Sequence, residues 1–152
     1  ELENMASKGM ILEQAILRAL NRLYDNDGYL MIHNLHEQCI SFRFGLYLYN
    51  ELKYTHFADY DFDAEYNRNK DNKKFLPSWK DGARPDFILH KRGKTTGDNI
   101  LIIEIKKGIK PRVTKTDKQK ILEFMNYPYY YEYGVTILLT PSGWKIEWID
   151  KN

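Results

Sequence analysis

The segment from Ile100 to Lys106 limits what this chain can fold into more than any other. It is a strongly apolar run that carries Glu104 and Lys106 near its end, and it reads as a β-strand. Asp86 to His90 forms a shorter strand before it, and Lys91 to Asn99 a glycine-containing turn between them. Two strands joined by a short turn pair as an antiparallel hairpin. Side chains alternate across a strand, so Glu104 and Lys106 share a face with Ile100 and Ile102. The start of one hairpin strand lies beside the end of the next, which brings Asp86 toward the Glu104 and Lys106 pair.

The other elements follow from periodicity. From Met10 to Tyr24, Ile11, Leu12, Ala15, Ile16, Ala19, Leu20 and Leu23 recur at helical spacing, and Asp25 to Gly28 ends that helix. A second helix follows Asn34 and runs to about Leu52, apolar on more than one side and therefore expected to be largely buried, with Cys39 inside it. Tyr60 to Arg68 alternates as a half-buried strand, and Asn69 to Arg84 reads as a loop. Thr116 and Gln119 have capping-box spacing, so a helix is expected from there to Pro128. Tyr133 to Thr140 and Trp144 to Ile149 are strands around a Pro141 to Gly143 turn. The order is helix, helix, strand, hairpin, helix, strand, strand.

Composition enters as a set of exclusions. The 152 residues suit one compact domain. A content of 43% hydrophobic and 14% aromatic residues supports a core. Residues 1–9 read as a tag remnant or disordered start. The single Cys39 excludes an internal disulfide and a cysteine zinc site, making the cytoplasm the expected location. No apolar run suggests a membrane partner, and the histidines lack helical metal-ligand spacing. The 23 basic and 21 acidic residues give only +2, so a nucleic-acid partner must be argued from local patches.

Two carboxylates converging at the mouth of a sheet suit Mg²⁺ or Mn²⁺, which takes a few oxygen ligands and keeps several waters. A lysine beside them can orient or deprotonate water, or steady charge developing on a phosphoryl group. The set therefore suits phosphodiester hydrolysis. The stretch from Lys106 to Lys120 carries Lys107, Lys110, Arg112, Lys115 and Lys118 besides its end residues against one acid, Asp117. That local excess suits a phosphate backbone, although a solvated loop and helix face would look the same. Lys70, Lys73, Lys74, Trp79, Lys80 and Arg84 form a weaker second patch.

Arg84-Pro85-Asp86 followed by Ile102-Ile103-Glu104-Ile105-Lys106 resembles the signature of the PD-(D/E)xK, restriction-endonuclease-like nucleases. The resemblance covers most of the chain. It implies an α/β fold with a restriction-endonuclease-like core: a central mixed sheet flanked by helices, ordered α-βββ-α-β, with an extra N-terminal helix and C-terminal strand. It further implies a metal held by Asp86, Glu104 and the Ile105 carbonyl, with Lys106 as the catalytic lysine. Glu37 occupies the place of a helix carboxylate that joins the site in many members. Asp63 to Arg68 resembles a segment of uncharacterised members, in which Glu65 could reach the metal region and Arg68 could hold a phosphate.

Each of these signals has a plainer explanation. Asn34 and Glu37 have N-cap and N3 spacing, which alone explains the glutamate. Asp61, Asp63 and Glu65 fit the solvated face of an edge strand, and for Asp61 and Asp63 that reading is preferred. The tyrosines from Tyr127 to Tyr133 could stack on bases, but such rings are more often buried. His90 shares a face with Asp86, leaving a minor role open. The expectation is a metal-dependent nuclease acting on DNA, with RNA as second choice and a homodimer compatible. The alternatives are a catalytically weak nucleic-acid-binding or protein-interaction module, and a surface Glu104–Lys106 ion pair of little energetic weight.

Overall fold

The computed structural model describes residues 7–33, 35–66, 84–93 and 96–151. They form two compact units, divided after Asp59. No helix among them is long and apolar enough to cross a membrane.

The first unit is helical. Helix α1 (Lys8–Asn26) begins where the Ser7 hydroxyl accepts from the Met10 N–H, so residues 8 and 9 are ordered in a helix; residues 1–6 lie outside the described residues. A short helix α2 (Gly28–Ile32), which periodicity does not reveal, follows directly. Helix α3 (Glu37–Leu52) packs on α1 through Ile40, Phe44, Tyr47 and Leu48. That single stripe corrects the expectation of a helix buried on several sides: Phe42, Leu46 and Tyr49 lie on the outer side and are exposed. Cys39 is exposed as well, not a core residue. The cap is also revised. His36 is the N-cap, its ring Nδ1 accepting from Gln38 N–H at 3.3 Å, which makes Glu37 the first helical residue and not N3.

The second unit is α/β. Strands β1 (Asp61–Ala64), β2 (Phe87–His90), β3 (Leu101–Lys107), β4 (Tyr133–Thr140) and β5 (Gly143–Ile149) form one mixed sheet in chain order. Every neighbouring pair is antiparallel except β3 and β4. The parallel pair needs a crossover, and helix α4 (Lys115–Met125) provides it. The expected hairpin of β2 and β3 is present, with Phe87 opposite Ile103.

Alternation gives the sheet two unlike faces. Leu101, Ile103, Ile105, Val135, Ile137 and Leu139 make one side apolar and buried. On the other, Ile88 and Ile102 pack with Ile121, Phe124 and Met125 of α4 and with Tyr129 and Tyr131. Those two tyrosines are thus core residues and not base-stacking platforms, while Tyr127 and Tyr130 are exposed. Helix α4 lies unusually close to β4. A Cβ on Gly134 would fall 2.4 Å from Ile121 Cγ2 and 2.7 Å from Met125 Sδ.

Helix α4 starts at Thr114, two residues before the expected cap. Thr114 Oγ1 accepts from Asp117 N–H at 3.1 Å, and the Asp117 carboxylate accepts from Thr114 N–H at 2.7 Å. An ionised acid at N3 is a stronger acceptor than the neutral Gln119 amide two residues on.

At the outer edge, Asp63 does not sit on a solvated face, which corrects its expected role. His90, itself buried, contacts Asp63 Oδ2 through Nε2 at 2.7 Å, Arg92 Nε donates to the same oxygen at 2.9 Å, and Tyr66 packs edge-on against His90. Burial alone would raise the Asp63 pKa, but the hydrogen bonds from His90 and Arg92 outweigh it and hold the group down at about 2. A depressed acid lends stability that is present above its unfolded value of 3.8 and is lost as pH falls through about 2. We predict that Asp63→Asn lowers unfolding free energy by about 2 kcal/mol at pH 7, since it strips two donors of a charged acceptor. Urea midpoints should show the gap to the parent protein narrowing as pH drops from 5 toward 2. A pH-independent gap would refute this account.

Candidate active site

Strand register assembles the site. Continuing the β2 and β3 pairing by one residue sets Asp86 opposite Glu104, and Glu104 is paired in turn with Thr136 and Thr136 with Glu147. Paired residues share a face, so this polar row runs along the side of the sheet that carries α4. Asp86 is anchored where β2 begins: its Oδ2 accepts from the Ile105 N–H at 2.6 Å. That bond aims the carboxylate at the Glu104–Ile105 peptide.

Set opposite each other by the register, the two acids act on one another electrostatically. Burial, followed by the neighbouring Asp86 charge, pushes the Glu104 carboxyl up to about 8. Burial likewise raises Asp86. Like charges held this close in a poorly solvated place disfavour double ionisation. Glu104 Oε1 is sealed from solvent and makes no hydrogen bond of good geometry, and Thr136 Oγ1, its neighbour across the register, is buried without a partner among the described residues.

Helix α4 supplies the cations. Lys120 Nζ stands 2.8 Å from Glu104 Oε1, with both side chains mostly covered, and donates to the Arg84 carbonyl at 3.4 Å. Lys106 Nζ stands 2.8 Å from Asp117 Oδ2, and Asp117 is held low because that Lys106 contact and the Thr114 cap outweigh its burial. The alternative reading of Glu104 and Lys106 as an ion pair with each other is therefore not what the structure shows. The two charges do share a face of β3, but α4 docks on that face and offers each of them a nearer partner.

The remaining candidates divide clearly. Glu65 donates its N–H to the Asp86 carbonyl at 3.2 Å, and its charge adds to the rise at Asp86. Its φ of 50 marks a left-handed residue as the chain leaves β1, a conformation uncommon outside glycine and asparagine. Glu37 belongs to the helical unit, whereas the acid pair is built from the sheet unit's own residues. Arg68 and the patch from Lys70 to Lys80 lie outside the described residues. Arg84, Lys110, Arg112, Lys115 and Lys118 are exposed, and Lys107 is half-buried. His90 is engaged by Asp63 and not by Asp86.

Sequence reasoning counted Lys120 only as the end of a basic stretch and passed over Thr136. A signal for Lys120 existed: once Thr114 and Asp117 are taken as the cap, a 3.6-residue period puts Asp117, Lys120, Ile121 and Phe124 on one face. Thr136 carried no such signal.

No three His, Cys, Asp or Glu side chains among the described residues come together as a metal-ligand group. For Mg²⁺ this is no obstacle, because that ion is commonly held by one or two carboxylates together with water and substrate phosphate. The donor set fits it: two carboxyls opposite each other in the register, one with a hydrogen-bond-deficient buried oxygen, beside the Ile105 peptide. No protein-family model, curated protein or solved structure matches this chain.

Proposed function

We propose that this protein is a divalent-metal-dependent nuclease of the PD-(D/E)xK type, hydrolysing phosphodiester bonds of DNA in preference to RNA. The observation that carries the reading is the placement of two largely covered carboxyls, Asp86 and Glu104, opposite each other across the β2 and β3 register, with an ammonium 2.8 Å from one of them. A pair of acids forced together is costly without a cation, and a hard divalent ion is the ligand whose charge matches it. Asp86, Glu104 and the Ile105 carbonyl would hold Mg²⁺ or Mn²⁺, and Glu65 would act from the rim. When bound, such an ion supplies an activated water and neutralises charge on the phosphoryl group.

The chain's own residues then have separate tasks. The Ile105 N–H fixes the orientation of Asp86. Lys106, partly exposed and held by Asp117, is the amine available for water or phosphate. Arg84, Lys107, Lys110, Arg112, Lys115 and Lys118 would track the nucleic-acid backbone, with Arg68 as a further phosphate contact.

Incubating the protein with single- and double-stranded DNA and with RNA, in Mg²⁺, in Mn²⁺ and in chelator, tests the proposal. Cleavage that depends on the metal is expected, and cleavage that persists in chelator or in Glu104→Gln would overturn it. One observation favours a second reading, that of a nuclease-like binding module with little catalysis: Lys106 is engaged by Asp117 and not by the acid pair. Nucleic-acid binding without turnover in either metal would select it.

A further inference from the structure

We propose that Lys120 is the resident counter-cation of the acid pair, a positioning residue that holds Glu104 in the metal-free protein and is exchanged for the divalent ion. The inference rests on the nuclease reading and adds to it a residue outside the strand signature. Lys120 reaches the site from α4, and its ammonium is 2.8 Å from Glu104 Oε1. Lys106, the lysine of the signature, is 2.8 Å from Asp117 instead.

Three features make Lys120 more than a surface ion pair. Both partners are largely buried, at 16% and 13% side-chain exposure, so the contact is poorly screened. The ammonium also donates to the Arg84 carbonyl, two residues before Asp86, and so touches both chain segments that carry the acids. The Glu104 oxygen it faces lacks a hydrogen bond of good geometry, which leaves this oxygen open to a better-matched cation.

A divalent ion and an ammonium cannot share that oxygen without repulsion. Coulomb repulsion scales with the charge it acts on, so a divalent ion at that oxygen is opposed about twice as strongly as a single positive charge there would be. Lys120 therefore opposes the metal more strongly than it opposes a proton on Glu104. Its removal should favour the metal even after proton competition is counted. Displaced, the ammonium stays tethered to α4 beside the site, where an incoming phosphate would meet it.

The test is Mn²⁺ binding in the absence of nucleic acid, read from the free-ion electron paramagnetic resonance signal at pH 7.5. The proteins are the parent, Asp86→Asn, Lys120→Met and Lys120→Gln. The parent is expected to bind Mn²⁺ and Asp86→Asn to lose it. Lys120→Met should bind roughly tenfold more tightly than the parent, and Lys120→Gln should do likewise should the methionine variant fail to fold. Unchanged or weaker affinity in the folded Lys120 variants, with parent binding intact, would overturn the exchange alone. No binding by the parent would remove the nuclease reading, and the exchange with it. A merely structural Lys120 would shift the melting temperature and leave the Mn²⁺ affinity where it was.

Discussion

Glu104→Gln is expected to abolish the proposed metal-dependent cleavage and, at the same time, to make the metal-free protein more stable. Under the proposed nuclease function, cleavage should fall by roughly 10³-fold or more, because the substitution keeps the shape but removes one of the two carboxylates proposed to hold the cation. Stability should move the other way. Glu104 has its carboxyl pushed up to about 8 from an ordinary 4.5, by burial first and by Asp86 second. For an acid raised in this way, ionisation opposes folding. The penalty is absent below about pH 4.5, grows as pH climbs, and is complete above about 8.

Glutamine carries no such penalty, although burying its amide returns part of the gain. A net advantage of about 2 kcal/mol at pH 9 is a reasonable scale, worth roughly 5–10 °C in a unit of this size. Melting curves in chelator should therefore nearly coincide at pH 4 and separate progressively up to pH 9, with the variant higher. Coincident curves at pH 9 would mean that Glu104 is not strained in the folded protein. Such opposition between activity and stability is what a site built to receive a missing charge should show.

The second large effect is expected at a position with no chemistry of its own. Gly134→Ala should destabilise the protein by about 2 kcal/mol, near 10 °C in melting temperature. Its new methyl would fall 2.4 Å from Ile121 Cγ2. Ile121 is fully buried and β-branched, so it has no free rotamer to retreat into. Helix α4 itself has to move off β4. That helix carries Lys120 to Glu104 and Asp117 to Lys106, so the proposed cleavage, measured at a temperature where the variant is still folded, should fall as well. The same substitution at Gly143, where an added Cβ meets nothing within 4 Å, is the control. If both alanines cost the same, the close approach of α4 at Gly134 is not what that glycine serves.

The primary sequence was sufficient to specify the hairpin, the meeting of Asp86 with Glu104, and the order of strands after Tyr60. These depend on period-two alternation and on short connections, both of which are local. It was also enough to separate the stripe of α1 from its solvent side, since seven apolar residues repeat at one spacing. By contrast, it misplaced the starts of α3 and α4, because several side chains near each start could serve as the cap and only the folded chain selects one. Asp63 looked solvated for the same kind of reason: its partners are His90 on β2 and Arg92 in the turn that follows it.

Which lysine faces which acid was decided by tertiary structure alone. Alternation puts Glu104 and Lys106 on one face of β3, but an ion pair forms with whatever charge packing brings nearest. What packs there is α4, admitted to the sheet by the missing side chain of Gly134. The helix carries an acid and a lysine one turn apart, and its docking gives Asp117 to Lys106 and Lys120 to Glu104. Strand periodicity is written in consecutive residues, whereas the seating of a helix depends on volumes contributed from β2, β3 and β4 together.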